Sequence, residues 1–146
     1  MGENYLDHVV INVKDDMDLA QLVFSNLGFN LTPRGYHTLG SINHLMMFGS
    51  DYMELIGFPE HGVANNPNAR PDLTTAPFGI NGLVFKSSDV DKTFEKLVEL
   101  EMDGDPPKSF SRPVELDGRK TDAKFRTVTV RAVSYTHLTL PTTHDV

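Results

Sequence analysis

The sequence has no cysteine, which excludes disulfides, thiolate nucleophiles and cysteine-held zinc or iron-sulfur centres. Any metal must then be bound through nitrogen and oxygen. Basic residues are scarce as well: 13 Lys plus Arg stand against 20 Asp plus Glu, giving a net charge of -7. Such a balance opposes binding to a nucleic-acid backbone or an anionic membrane. No apolar run approaches the roughly 20 residues a membrane helix needs, and the opening MGENYLDH lacks a basic segment followed by an apolar one. A cytoplasmic protein with neither nucleic acid nor membrane as partner is the expectation. Also missing are a nucleophile-elbow serine, a phosphate-binding glycine loop and an HExxH helix.

What is present suits one globular domain: 146 residues, 39% of them hydrophobic, are enough to bury a core. In YLDHVVINV, residues 5–13, the two-residue period puts Val9, Ile11 and Val13 on one face and His8, Val10 and Asn12 on the other. Asp15 or Asp16 can cap a following helix carrying Ala20, Val23, Phe24 and Leu27, and Gly28 suits its left-handed stop. FNLTP reads as a second strand. It leads through the loop RGYHTLGSI to a hairpin, NHLMMFGSDYMELIG, residues 43–57. Pro59, Pro67, Pro71 and Pro77 mark an irregular connector. The pattern then restarts with the strand GINGLVFKS and a helix from about 89 to 102. Two or three strand candidates follow, SFSR, then PVEL and KFRTVTVRA around Asp117-Gly118. A repeat of about 74 residues is visible.

The duplicated strand-helix-three-strand units, the first strand LDHVVINV, the helix ending LGF and the strand YMELIG resemble the vicinal oxygen chelate superfamily, specifically its glyoxalase-like domains. The resemblance implies an α+β fold of two βαβββ units, each a half-barrel, closing a cup around a divalent metal. Unit one is placed at 5–57, the connector at 58–78 and unit two, which could be incomplete, at 79–131, so that the domain fills 1–132. Residues 133–146, VSYTHLTLPTTHDV, match neither unit and resemble a translated sequencing adapter, which would leave the natural protein cut short near Ala132. An added edge strand, with Tyr135, His137 and Thr139 alternating with Thr136, Leu138 and Leu140, is the other reading of this segment.

If the helices cover the apolar faces, His8 points into the cup, and so do Tyr52, Glu54 and Ile56. A carboxylate buried in a strand is costly without a partner, and a divalent cation would relieve that cost. Imidazole with carboxylate suits Zn, Mn, Fe, Ni or Co. In the resembled family a histidine on the first strand and a glutamate on the fourth are metal ligands. His8 and Glu54 fall on those positions, with Glu54 the expected catalytic residue. Asn43, His44 and Tyr52 are the candidate substrate-binding residues, while His37, on the loop with Arg34 and Tyr36, reads as solvated. The second unit offers only Gly82 or Asn81 opposite His8. KFRTVTVRA has no glutamate to match Glu54, so the ligand set is half complete.

Two readings of function result. One is a metal-dependent lyase or dioxygenase acting on a small oxygenated metabolite; the other is a metal-free binding or sequestering protein of the same fold. A nonfunctional fragment is a third. A homodimer is left open.

Overall fold

A computed structural model describes residues 5–59, 70–131 and 139–145. Strand β1 (Leu6–Lys14) leads into helix α1 (Met17–Asn26), then β2 (Gly35–Tyr36), β3 (Ile42–Phe48) and β4 (Asp51–Gly57). A short helix α2 (Pro71–Thr75) precedes β5 (Gly79–Phe85), helix α3 (Val90–Glu99), β6 (Lys108–Leu116), β7 (Arg119–Thr129) and β8 (Thr139–Asp145). One sheet has the order β2-β3-β4-β1-β5 and the other β6-β7-β8, with β8 running beside β5. The second unit thus repeats the element order of the first.

Local chemistry accounts for the element ends. Gly28, at φ +93°, takes the left-handed position after α1. The Phe29 N–H then bonds back to the Phe24 carbonyl, and the two rings pack 5.8 Å apart, as in a Schellman stop. Asp16 stands at the N-cap of α1 without a side-chain hydrogen bond, whereas Asp89 caps α3 through Lys92 N. Asp117 and Gly118 both have positive φ, the backbone of a two-residue hairpin turn between β6 and β7.

Two expected strands differ in extent. FNLTP does not form a strand: Pro33 has no N–H for a ladder. The segment touches β3 through Thr32 N to Leu45 O, and the strand itself is Gly35–Tyr36. SFSR and PVEL are one strand, β6, which passes through Pro113 because β6 is a sheet edge where a missing donor is tolerated. Residues 139–145, within the segment expected to lie outside the fold, pair antiparallel with β7. Positions 132–138 and 146 lie outside the described residues.

Apolar side chains under α1 form the main core. Ile11, Val13, Met17, Ala20, Ile42, Met46 and Leu55 are buried there with Met53 against them, so the helix covers the β1 and β4 faces that the two-residue period assigned to it. Val90, Leu97, Val128 and Val130 make a second core beneath α3. Both helices lie on the outer faces of the sheets, leaving the inner faces to enclose a cavity.

Candidate functional site

Strands β1 and β4 are parallel neighbours, with His8 opposite Tyr52 and Val10 opposite Glu54. Their inner faces line a cavity of about 740 Å³, closed on the far side by Phe110, Arg112 and Phe125. At its floor His8 Nε2 lies 3.3 Å from Glu54 Oε2. The other ring nitrogen, Nδ1, lies 2.7 Å from Asp7 Oδ2, and Tyr52 stacks on the imidazole with centroids 4.4 Å apart. Asn43 Nδ2 donates to Glu54 Oε1 at 2.7 Å.

These contacts set the protonation states. Burial would pull the His8 imidazole down, but the hydrogen bonds and charges of Asp7 and Glu54 outweigh it and push it up to about 9. Burial would push the Glu54 carboxyl up, but the hydrogen bond and charge of His8, aided by His37 and Asn43, pull it down to about 2. The floor is therefore an imidazolium held between two carboxylates. Burial and the nearby carboxylates of Glu54 and Asp7 hold the Tyr52 phenol well above its ordinary range, so Tyr52 stays a hydrogen-bond donor.

Of the residues singled out from sequence, His8, Glu54, Asn43 and Tyr52 meet in the cup. His44 does not. Alternation in β3 turns it to the helix-covered face, where it is 2% exposed. Its Nδ1 meets the Thr32 carbonyl at 2.8 Å and its Nε2 accepts from Arg34 Nε at 3.2 Å. His37, expected to be solvated, lines the cavity, with Ser41 Oγ 2.9 Å from its Nδ1. Burial holds its imidazole below the ordinary value. Asn81 and Gly82, the two alternatives for the second-unit position matching His8, both line the cavity. Two residues were missed. Asp7 orients His8, and the signal was a carboxylate directly before the histidine; Arg112 donates from Nη1 to Asn43 Oδ1 at 2.8 Å.

His8 and Glu54 suit a metal ion as two of its ligands once the ion displaces the proton from His8 Nε2. Donor atoms bonded to one ion at about 2.0–2.2 Å lie roughly 3 Å from each other, close to the 3.3 Å found. Asp7 on Nδ1 supplies the carboxylate that commonly orients a metal-bound histidine. Among the described residues no group of three His, Cys, Asp or Glu side chains assembles. Remaining coordination positions would fall to water or substrate.

Residues 6–144 match the glyoxalase-like domain family. The chain belongs to that family. Its solved structural neighbours have the vicinal oxygen chelate fold. A hypothetical protein from Staphylococcus aureus superposes with a TM-score of 0.75 at 14% identity, covering 99% of this chain and 60% of that one. The glyoxalase-like chain thus spans about three fifths of that neighbour's length. A hypothetical protein from Bacillus halodurans gives 0.64 at 15% identity, covering 99% of each chain. Methylmalonyl-CoA epimerase from Mycobacterium tuberculosis gives 0.54 at 18%, covering 94% of this chain and 87% of the epimerase. At these identities the likeness concerns the fold. No curated protein matches the chain, and no helix among the described residues is long and apolar enough to cross a membrane.

Proposed function

We propose that this glyoxalase-like protein binds a small oxygenated metabolite in the cup and acts on it as a lyase or dioxygenase of the vicinal oxygen chelate type. His8 and Glu54 would hold a divalent metal, one of Zn, Mn, Fe, Ni and Co. The supporting observation is the pair itself, one imidazole nitrogen and one carboxylate oxygen 3.3 Å apart on the cavity floor. Such an ion, when bound, supplies Lewis-acid stabilisation of an enolate or oxyanion. The chain's own residues do the rest. Asp7 fixes the ring orientation of His8, and Asn43 holds Glu54 Oε1, leaving Oε2 toward His8. Tyr52, stacked on the imidazole, keeps its proton and gives it in a hydrogen bond to Asp7, so that it supports the carboxylate that orients His8. Val10, Leu45, Ile56 and Val84 line the cavity with apolar surface that limits water, which strengthens the polar interactions inside.

A metal-free binding protein is the second reading. It is favoured by the internal satisfaction of the pair, since both Glu54 oxygens already have protein partners. Calorimetry on chelator-treated protein with Zn, Mn, Ni and Co at neutral pH separates the two. On the metal reading the wild type binds with modest affinity and His8→Ala or Glu54→Gln each abolishes binding. Binding that is absent from the wild type, or unchanged in both variants, removes the metal from the account.

A further inference from the structure

Among the described residues, one cation of the cup, Arg112, has a neutral amide rather than a carboxylate as its hydrogen-bond partner. Arg112 stands on β6 of one sheet and reaches across to Asn43 on β3 of the other. Its head group rests over Gly35, where any Cβ would collide with both Arg112 Nη1 and Asn43 Oδ1. The strand edges beneath are tied by Thr38 N to Ser111 O at 3.2 Å. Of the other charges on the cavity wall, Lys108 pairs with Asp105 at 2.6 Å and Glu54 with His8, while the charge of Arg70, which also lines the cavity, acts on His37. Arg112 faces a neutral amide oxygen through Nη1, and its Nε is buried with no hydrogen-bond partner among the described residues. An orphaned donor on a charged group is costly and calls for an acceptor. The charge of Arg112 reaches the floor, where it opposes the raised pKa of Tyr52 and lowers that of His37.

We propose that Arg112 is the anchor for an anionic group, a carboxylate or a phosphate monoester, on the ligand of the cup. The Nε–Nη2 edge of the guanidinium is the fork that matches two oxygens of such a group bidentately. Nη1 stays on Asn43. Because Nε is closed to water without a ligand, the guanidinium must turn slightly to present that edge, and the turn exchanges an orphaned donor for a charge-assisted hydrogen bond. Asn43 bridges Arg112 to Glu54, so a ligand gripped at one end by Arg112 has its other oxygens directed to the His8–Glu54 floor. The inference rests on the cup being the ligand site, and it names the substrate class: small acids or phosphorylated metabolites rather than neutral ones.

The test uses the full chain, chelator-treated and at low ionic strength, with malonate and inorganic phosphate as separate calorimetric probes. At least one binds the wild type, and the tighter of the two identifies the anion class. Arg112→Gln weakens that probe by at least about tenfold, while Arg112→Lys, which keeps the charge without the planar fork, retains part of the affinity. A second readout needs no variant to bind: the Nε–H resonance of Arg112 in the wild type, assigned by its absence from the Arg112→Lys spectrum, shifts during the titration. Failure of both probes to bind the wild type, equal binding by Arg112→Gln, or an unmoved resonance at saturation overturns the proposal. Since the anion titrations contain no metal, absence of metal binding by the wild type beside intact anion binding would count against the metal reading alone, and failure of both anions beside intact metal binding would count against Arg112 alone.

Discussion

Without metal, the floor of the cup should make stability depend on pH in a way that a neutral floor would not. His8 and Glu54 have side chains only 7% and 11% exposed, so solvent screens their interaction little. A histidine whose folded pKa is raised contributes stability that is full below the unfolded value and is lost as pH rises through the folded one. For His8 that window runs from 6.5 to about 9, and at 1.36 kcal/mol per pH unit the contribution is about 3 kcal/mol. Glu54 is the opposite case. Its contribution is full above 4.5 and is lost as pH falls through about 2, so the pair stabilises most between about 4.5 and 6.5. The assay is urea unfolding of chelator-treated protein at pH 6 and pH 10, on wild type and Glu54→Gln. Lysines and tyrosines titrate in both proteins and largely cancel. The wild type should lose more stability over this range, the excess being about 1 kcal/mol or more, because the variant keeps only Asp7 as anionic partner of His8. Parallel loss in the two proteins would refute the claim that His8 is held charged by Glu54.

Three further outcomes follow from single contacts. Asp7→Asn removes the carboxylate that orients the imidazole and should weaken metal binding about 10- to 100-fold in calorimetry while the cup persists. Leu55→Ala, at a side chain 0% exposed beneath α1, should cost about 2–5 kcal/mol by urea denaturation, each kcal/mol lowering Tm by about 4 °C for a chain near this size. Asp89→Ala deletes the cap on Lys92 N and should cost about 1 kcal/mol in the same assay.

Much of this architecture was legible because alternation in β1 and β4 is strict. Val9, Ile11 and Val13 against His8 and Val10, and Met53 and Leu55 against Tyr52 and Glu54, leave one sensible way to face a helix, and the structure adopts it. INHLMMF was harder. It is apolar on both faces, so the two-residue period separates Asn43 from His44 without saying which one enters the cup. Burial of His44 with Ile42 and Met46 decides it. Arg112 was not legible at all, since its partner Asn43 is 69 residues away and Pro113 divided β6 into two apparent segments. His37 looked solvated because a loop histidine next to Tyr36 and Arg34 carries no periodic signal. Only the approach of β6 to the loop after β2 encloses it, with Phe110 edge-on at 5.9 Å.

Anomalous scattering from crystals soaked in Mn or Zn tests the central claim most directly. The expected result is a single anomalous peak on the cup floor, bonded to His8 Nε2 and Glu54 Oε2 at about 2.0–2.2 Å, with Asp7 still on Nδ1. A floor without a peak, His8 still in contact with Glu54 as in the metal-free chain, would contradict it.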